Sequence, residues 1–508
     1  MRKMLAAFDE LVGIDDATSI GAFARRIAFL FVTIMLLAAP HSIAATNISF
    51  GIALVAFIVG HIAQPKAQAK WRKFHAVELA LIALFIWSVV SAVFSHDQAT
   101  SLSRLKHPAL FLIAVLVFRV ITNIRAAYFL TAALIFSTTT LALIAPIYRI
   151  IGRGVEIKLV EPAGPLAKAG FVDGDTILRV NGKRISDPAE LLAAIDGGKT
   201  ATVAYHRPDI HENVEVDGKL LLPGTTPSER LGFCTWATSH YWRSAGFFSH
   251  YTTFAEFLQI VASLAFGVLL VLYQRRREAD KPPNFVFSLP FLIVSLILLG
   301  TALLLSGTRA SQLSFGVAAF VLFLTSVGRR TAVFALVLAI PIAIAAGFLI
   351  QSTRNVGFFD TKDAGTQYRF MMWRDGVRIW SESPRNIVFG VGMDSIKTHW
   401  QEWGMFDGGR VMMGHFHSLP VQLLVERGLP ALLIWLTVLG IFARSMWRGR
   451  RGSSPVNAGI MLGCLGATIG FFTSGFLHNN LGDAEVANAF YIILGLGLGV
   501  STFNRTDS

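Results

Sequence analysis

Apolar runs of about twenty residues recur along this chain of 508 residues and are separated by short polar stretches. A helix of that length crosses a hydrocarbon core of roughly 30 Å. A spanning segment must satisfy its backbone hydrogen bonds internally, so the pattern predicts an all-α polytopic membrane protein. The predicted spans are twelve, at residues 26–43, 47–63, 77–94, 107–121, 126–147, 251–273, 285–305, 309–327, 331–350, 417–443, 456–476 and 485–503.

The composition agrees with a membrane protein, since 53% of residues are hydrophobic and 15% are charged, against about 25% charged in a typical soluble domain. The net charge of +13 is compatible with nucleic-acid binding. The cations concentrate in alternate loops, however, as they do in cytoplasmic loops that meet anionic lipid, so no nucleic-acid partner is expected. The loops with this excess contain Arg25, Arg26, Lys66, Lys70, Arg72, Lys73, Arg119, Arg125, Arg275, Arg276, Arg277, Arg329, Arg330, Arg444, Arg448, Arg450 and Arg451.

This asymmetry predicts cytoplasmic termini and two large loops, about 150–250 and 351–416, on the outer side. Arg25 and Arg26 directly precede the first long apolar run, which favours an uncleaved span over a signal peptide. Cys464 lies within an apolar run, so no structural disulfide is expected.

The domain organisation follows from these runs and loops. The predicted divisions are 1–150 for spans one to five, 151–245 for a folded outer domain, 246–350 for spans six to nine, 351–416 for a large outer loop, and 417–508 for spans ten to twelve.

The segment "AGPLAKAGFVDGDTILRVNGKRISDPAELLAAI" at 163–195 reads as a small α/β domain. A tight turn leads into the alternating strand "TILRV", Asn181-Gly182 is a strong hairpin signal, and Asp187 caps a helix that begins at Pro188. "TATVAYHR" is a further strand. The pattern resembles a bacterial PDZ domain over about 155–235.

That resemblance implies a peptide-binding loop and a protein partner; the alternative is a packed spacer. The loop is assigned to "RLGF", which comprises Arg230, Leu231, Gly232 and Phe233. Asp173-x-Asp175 could hold a divalent metal, but it falls in the PDZ-like turn, and the turn is the favoured interpretation.

Polar motifs recur on the predicted outer side. They are "SAGFFSHYTTFAEFLQ" before span six, "SGTRASQLSF" around Arg309, "YRFMMWRDGVRIWSESPRNIVFGVGMDS" from Tyr368, and "GHFHSLP" at the start of span ten. Ionisable residues near membrane depth are costly, so they are functional candidates.

Together these motifs resemble the O-antigen ligase and polymerase family of bacterial membrane glycosyltransferases. His417-Ser418, nine residues and then Gly428 match the family pattern, although Ala431 replaces a later family glycine. Arg369-x-x-x-Trp373 and a following Gly-x-Gly match as well. The family has about twelve spans and a large outer loop between spans nine and ten, as predicted here. A PDZ-like insertion is not usual in it.

The resemblance implies transfer of a glycan from undecaprenyl pyrophosphate to an acceptor hydroxyl. Guanidinium groups bind phosphate oxygens and stabilise charge that develops on a leaving group, a role assigned to Arg309 and Arg369, with Arg374 and Arg378 as substitutes. An interfacial arginine at 309 and a loop salt bridge at 369 are the alternatives. His417 is assigned as the general base; the alternative is a structural histidine at the helix N-cap.

Other polar residues extend the candidate site. His415 could ligate a metal with His417, but two histidines do not make a site, so neither a metal nor another cofactor is expected. His478 and Asn479 are assigned to substrate binding. With Asn480, Asp483 and Glu485 they form a cluster in the last outer loop that contacts glycan, orients His417 or is only solvated.

Other functional classes remain to be weighed. An intramembrane zinc protease would need His-Glu-x-x-His, which the sequence lacks. A transporter of lipid-linked glycan would not require a base at 417. A ligase would use the lipid A core as acceptor, and a polymerase would use a growing glycan. The favoured prediction is a ligase in a bacterial inner membrane, with its active site facing the periplasm.

Overall fold

The computed structural model of the chain describes residues 2–14, 20–63, 73–207, 210–240, 243–277, 282–338 and 364–503. The chain divides into two compact units. The helical unit comprises Met1–Leu141, Phe247–Leu304 and Thr308–Ser508, and the sheet unit comprises Ala142–Gly246 with Leu305–Gly307.

Helices make up most of the described chain. In order they are α1 Arg2–Val12, α2 Ile20–Ala38, α3 Ile43–Ile62, α4 Ala76–Val93, α5 Gln98–Ser103, α6 Leu112–Val120, α7 Ile124–Ala142, α8 Ile144–Ile151, α9 Pro165–Lys168, α10 Pro188–Ile195, α11 Pro227–Leu231, α12 Tyr251–Gln274, α13 Leu289–Leu305, α14 Arg309–Leu324, α15 at 329–338, α16 Ala364–Ser381, α17 Pro384–Phe389, α18 Ser395–His399, α19 Met405–Gly409, α20 Leu419–Gly449, α21 Pro455–Gly475 and α22 Ala484–Phe503.

Nine helical segments of the described chain are long and apolar enough to cross a membrane, and α13 and α14 are shorter apolar helices. These eleven segments coincide with eleven of the twelve predicted spans. The ninth predicted span, 331–350, is helical as far as residue 338, and its remainder lies outside the described residues. The prediction of a mainly helical, multi-pass membrane protein is confirmed.

The burial of side chains distinguishes the helices that face lipid from the helices that form the core. α3 and α13 leave large apolar side chains exposed, among them Ile48 and Ile297, as lipid-facing helices do. α12, α21 and α22 are buried on most sides. A Cβ atom at Gly267 would lie 2.3 Å from the Gly463 Cα. Glycine at both positions therefore lets the backbones of α12 and α21 approach closely.

The sheet unit contains one antiparallel sheet. Its strands are β1 Arg153–Val160, β2 Thr176–Val180, β3 Lys183–Arg184, β4 Thr200–Arg207, β5 Ile210–Asp217 and β6 Phe233–Ser239. The order is β5-β4-β2-β1-β6, with β3 paired to β2. Its core is built from aliphatic and aromatic side chains that include Val155, Ile177, Leu191 and Phe233.

Local sequence signals in this unit are confirmed. Asn181 and Gly182 both have positive φ and connect β2 to β3. Asp187 and Glu190 form a capping box around Pro188, the first residue of α10.

The Asp173-x-Asp175 pair lies in the turn before β2, and both carboxylates are engaged there. Asp173 accepts from the Val160 N–H at 2.8 Å, and Asp175 accepts from the Val172 N–H at 2.9 Å and from Arg207 at 2.7 Å. The turn interpretation is therefore supported over a metal site.

The segment predicted as a large loop at 351–416 contains substantial structure in its described part. α16 is an 18-residue helix, and α17 and α18 follow it. Apolar side chains of α16, including Met372 and Ile379, form a small core with Phe406 and Phe416. This core places the segment "GHFH" against α16.

Candidate active site

A polar cavity of about 700 Å³ lies within the helical unit. Six parts of the described chain line it: residues 104–107, the first turns of α12, the start of α16, residues 393–397, the segment 414–417 with the first turns of α20, and the loop 478–483 before α22. Arg369, His417, His478 and Asn479 line it. The structure thus brings four of the residues assigned from the sequence into one cavity.

The Arg-x-x-x-Trp pattern has a structural reason. The Trp373 indole N–H donates to the Phe416 carbonyl at 3.0 Å, and a side chain at Gly376 would meet the Phe416 ring at 2.8 Å. α16 therefore packs directly against the residue between the two histidines. Arg369 lies one helical turn before Trp373, on the same face, and so reaches the cavity.

His417 precedes α20 in a strained backbone conformation. Its φ is 47°, a region that residues other than glycine seldom adopt. Its N–H donates to His415 Nδ1 at 3.1 Å, and the two rings lie 4.0 Å apart in an edge-to-face arrangement. The N-cap of α20 is Ser418, so the alternative of His417 as an N-cap residue is wrong.

The electrostatic surroundings keep His417 neutral. Burial, followed by His415, Arg369 and His250, lowers the pKa of the His417 imidazole to about 3. Burial and the Lys397 charge also lower the pKa of His415. A neutral imidazole is the form that can accept a proton.

The loop before α22 is fixed to α20. The Leu419 N–H donates to the His478 carbonyl at 3.0 Å. The buried Asn480 side chain donates to the Phe471 carbonyl at 2.8 Å. Asp483 accepts from the Thr253 hydroxyl at 2.9 Å, which ties this loop to α12. His478, Asn479 and Asp483 line the cavity, whereas Asn480 supports the loop from beneath.

A break within α20 explains the spacing from His417 to Gly428. Gly428 has φ 77°, and a Cβ there would lie 1.9 Å from the Val388 carbonyl oxygen. Pro430 has no N–H with which to bond the Glu426 carbonyl. The Gly392 N–H donates to the Glu426 carbonyl instead, at 3.0 Å, and the Trp87 indole N–H donates to the Arg427 carbonyl at 2.9 Å.

A cluster of charged side chains around Asp394 also lies on the cavity wall. Asp394 pairs with Arg104 at 2.8 Å and with Lys397 at 3.0 Å, and its N–H donates to the Glu426 carboxylate at 2.9 Å. Arg427 lines the cavity beside them. The sequence interpretation missed this group. Arg104 could have been found as a cation just before an apolar run, on the side predicted to be poor in cations.

The other assigned arginines lie elsewhere. Arg309 opens α14 and is half-buried; it is not among the described residues that line the cavity. α12 and α14 begin at the same end of the bundle, because α13 returns the chain between them. Arg374 is exposed beside Asp375, and Arg378 pairs with Glu382 at 2.8 Å. The expectation that Arg374 or Arg378 substitutes for Arg369 is not supported by these positions.

Two parts of the chain match known protein families. Residues 294–436 match the family model described as O-antigen ligase. The chain carries an O-antigen ligase domain. That domain implies a ligase- or polymerase-type glycosyltransferase that acts on lipid-linked glycans. Residues 156–205 match a PDZ domain, and a search of curated proteins finds no match to the chain.

The ligase match covers only part of the cavity. It includes Arg369 and His417, whereas the cavity is also lined by residues before the match and by the loop 478–483 after it; the residues before it include Arg104, His107, His250 and Glu256. Glu256 was also missed as a site residue, although it lies within the motif quoted for span six. The sequence signal that could have identified Glu256 is an acidic residue within an otherwise apolar helix.

In the PDZ domain the assigned segment 230–233 runs from the end of α11 into the start of β6. Gly232 has φ 79°, and its N–H already donates to the Ser228 and Glu229 carbonyls. Leu231 and Phe233 are buried in the domain core. Arg230 pairs with Asp196 at 2.8 Å. β6 forms one edge of the sheet.

His415 and His417 are the two histidines that could ligate a metal together. Within the described ranges, no group of three or more His, Cys, Asp or Glu side chains has an arrangement that would hold a metal.

Proposed function

We propose that the protein transfers a glycan from undecaprenyl pyrophosphate to a hydroxyl of the lipid A core, at the periplasmic face of a bacterial inner membrane. The observation that carries this proposal is one cavity that contains both Arg369 and the neutral His417. A guanidinium suits the leaving pyrophosphate, and a neutral imidazole suits the attacking hydroxyl.

In this mechanism Arg369 binds the pyrophosphate oxygens. As the bond from the anomeric carbon to the pyrophosphate breaks, the leaving group keeps the electron pair and its negative charge grows. A fixed cation in a buried site stabilises that charge more than water would. Arg309, at the same end of the bundle, is proposed as a second phosphate-binding cation.

His417 takes the proton of the acceptor hydroxyl while the acceptor oxygen bonds to the anomeric carbon. The Arg369 charge contributes to the low pKa of His417. A bound pyrophosphate would balance that charge, so the imidazole should become a stronger base once the donor is in place. His478 and Asn479 are proposed to contact substrate at the adjoining wall.

The two units are proposed to have separate roles. The cavity lining comes from the helical unit, so the PDZ domain at 151–245 is proposed to recruit a protein partner through residues near 230–233. The cytoplasmic termini and the outer position of this domain follow from the loop charges.

The test is transfer by purified protein supplied with the lipid-linked donor and either lipid A core or a second lipid-linked glycan. The proposal expects transfer to lipid A core, with EDTA present as well as absent. Transfer only to the second glycan would make the protein a polymerase. No transfer to either acceptor would favour a transporter, and loss with EDTA that a divalent ion restores would show metal dependence.

A further inference from the structure

Glu256 is a buried carboxyl group whose oxygens have no protein partner. It lies in the second turn of α12, is 1% exposed, and lines the cavity. Neither of its carboxyl oxygens has a hydrogen-bond partner within the part of the chain that the structure describes. Its neighbours Phe254, Ala255 and Phe257 are apolar and buried.

His478 faces this carboxyl group and is also incompletely paired. His478 Nδ1 lies 3.7 Å from Glu256 Oε1, which is longer than a hydrogen bond. Its Nε2 is buried and likewise lacks a partner among the described residues. The two side chains therefore do not satisfy each other, although they lie side by side at the cavity.

Such an arrangement is costly for the fold. Burying a polar group without a hydrogen bond destabilises the folded state, and native proteins rarely leave such groups unpaired. Unpaired groups that line a cavity are instead suited to a ligand that supplies the missing partners.

We propose that Glu256 and His478 form a binding site for sugar hydroxyl groups, separate from the phosphate-binding Arg369. A hydroxyl both donates and accepts hydrogen bonds, so it can bond to the Glu256 carboxyl group in either protonation state and to a ring nitrogen of His478. Asp483, held by Thr253 at 2.9 Å, adds a second carboxyl group to this wall. These carboxyl groups supply no cation, whereas Arg369 does, so a sugar hydroxyl suits this wall and a pyrophosphate suits Arg369. The inference rests on the proposed function, because it assumes that a glycan enters the cavity.

The glycan could belong to the donor or to the acceptor, and three probes distinguish these sources. They are undecaprenyl pyrophosphate without sugar, the same lipid carrying the glycan, and the free acceptor glycan. Binding of each would be measured to the wild type, to Glu256→Leu and to Gln259→Leu. Gln259 is a matched control, because it lies one turn further along α12 and is also buried and unpaired, but is not among the described lining residues.

Glu256→Leu should weaken binding of the glycan-bearing donor or of the acceptor glycan about twofold to tenfold, the range for one hydrogen bond between neutral groups. Binding of the sugar-free lipid should not change. The melting temperature in detergent should stay equal or rise, because an unpaired buried polar group is removed. Gln259→Leu should bind all three probes as the wild type does.

Unchanged binding of both glycans to Glu256→Leu would overturn the inference, as would an equal loss for the sugar-free lipid. A lower melting temperature would assign Glu256 a structural role and would overturn it as well. These binding measurements need no turnover. A wild type that binds glycan but never transfers it would contradict the proposed function alone, and the two failures stay distinguishable.

Discussion

His417 combines a strained backbone with a neutral imidazole. A non-glycine residue in a sparsely populated φ region costs about 1–3 kcal/mol and persists where the surroundings fix it. Here the fixing contacts come from both sides: Trp373 holds the Phe416 carbonyl, and the His478 carbonyl holds the Leu419 N–H. These contacts hold the His417 backbone in its strained conformation, and that conformation sets the direction of the His417 side chain at the cavity.

The pH dependence of transfer tests the state of this imidazole. A general base must be neutral to act, and the pKa of His417 is lowered to about 3, so lowering the pH from 8 to about 5 should not protonate it. We expect kcat/KM, which reports the free enzyme, to stay level across that range. An acid limb near 6.5, the ordinary value for histidine, would show that His417 is not buried as described.

The contact between α16 and the segment 414–417 makes two distant motifs act as one. Arg369 and Trp373 lie on one face of α16, and Trp373 fixes the carbonyl beside His417. Within α16 alone, the tryptophan of the Arg-x-x-x-Trp pattern has no evident role. Its role becomes clear from its hydrogen bond to the segment 414–417.

Trp373→Phe tests this contact, because it removes the indole N–H and keeps an aromatic ring. A buried hydrogen bond contributes about 0.5–1.5 kcal/mol, so the protein should stay folded. Transfer should fall roughly tenfold as His417 loses its fixed position, with donor binding little changed. The matched control is Trp380→Phe on the same helix, which loses a bond to the Ile387 carbonyl.

If Trp373→Phe transferred as fast as the Trp380→Phe control, the contact would not position His417. If instead its donor binding fell as strongly as its transfer rate, Trp373 would act on the donor through Arg369.

The helices α20 and α16 could be predicted from the sequence to different extents. The start of α20 and the spacing from His417 to Gly428 were visible, but the reason for the spacing was not. The groups that bond the carbonyls freed at Gly428 come from Trp87 and Gly392, which are far away in the chain. α16 was predicted as part of a loop, because its apolar positions are few and its buried face appears only beside Phe416.

At the scale of the whole molecule, hydropathy predicted the spans well, because lipid allows few alternatives to a helix. The cavity was predicted in part. His417 and Arg369 came from the order of the motifs, and His478 and Asn479 came from the polar cluster in the last outer loop. Glu256 and the Asp394 group depend on packing between distant helices. Arg369 was preferred to Arg374 and Arg378 because it stands in the Arg-x-x-x-Trp pattern, and the helical phase of α16 separates it from them as well.

The orientation in the membrane is testable by cysteine labelling. Cys234 is exposed in the sheet unit, so it should first be replaced by serine. With an impermeant thiol reagent on intact spheroplasts, Asn181→Cys should label and Arg451→Cys, between α20 and α21, should not, because the loop charges place 451 in the cytoplasm. The reverse pattern would place the PDZ domain in the cytoplasm and invert the topology.

The most direct test of the central claim compares donor binding and glycan transfer for His417→Ala and three other variants in detergent. We expect His417→Ala to bind the lipid-linked donor as the wild type does and to transfer about 10²–10⁴-fold more slowly, the usual contribution of a general base. Arg369→Ala should weaken both donor binding and transfer, the exposed Arg374→Ala should change neither, and His415→Ala should be mild in both. A folded His417→Ala protein that binds donor and transfers at the wild-type rate would contradict the account.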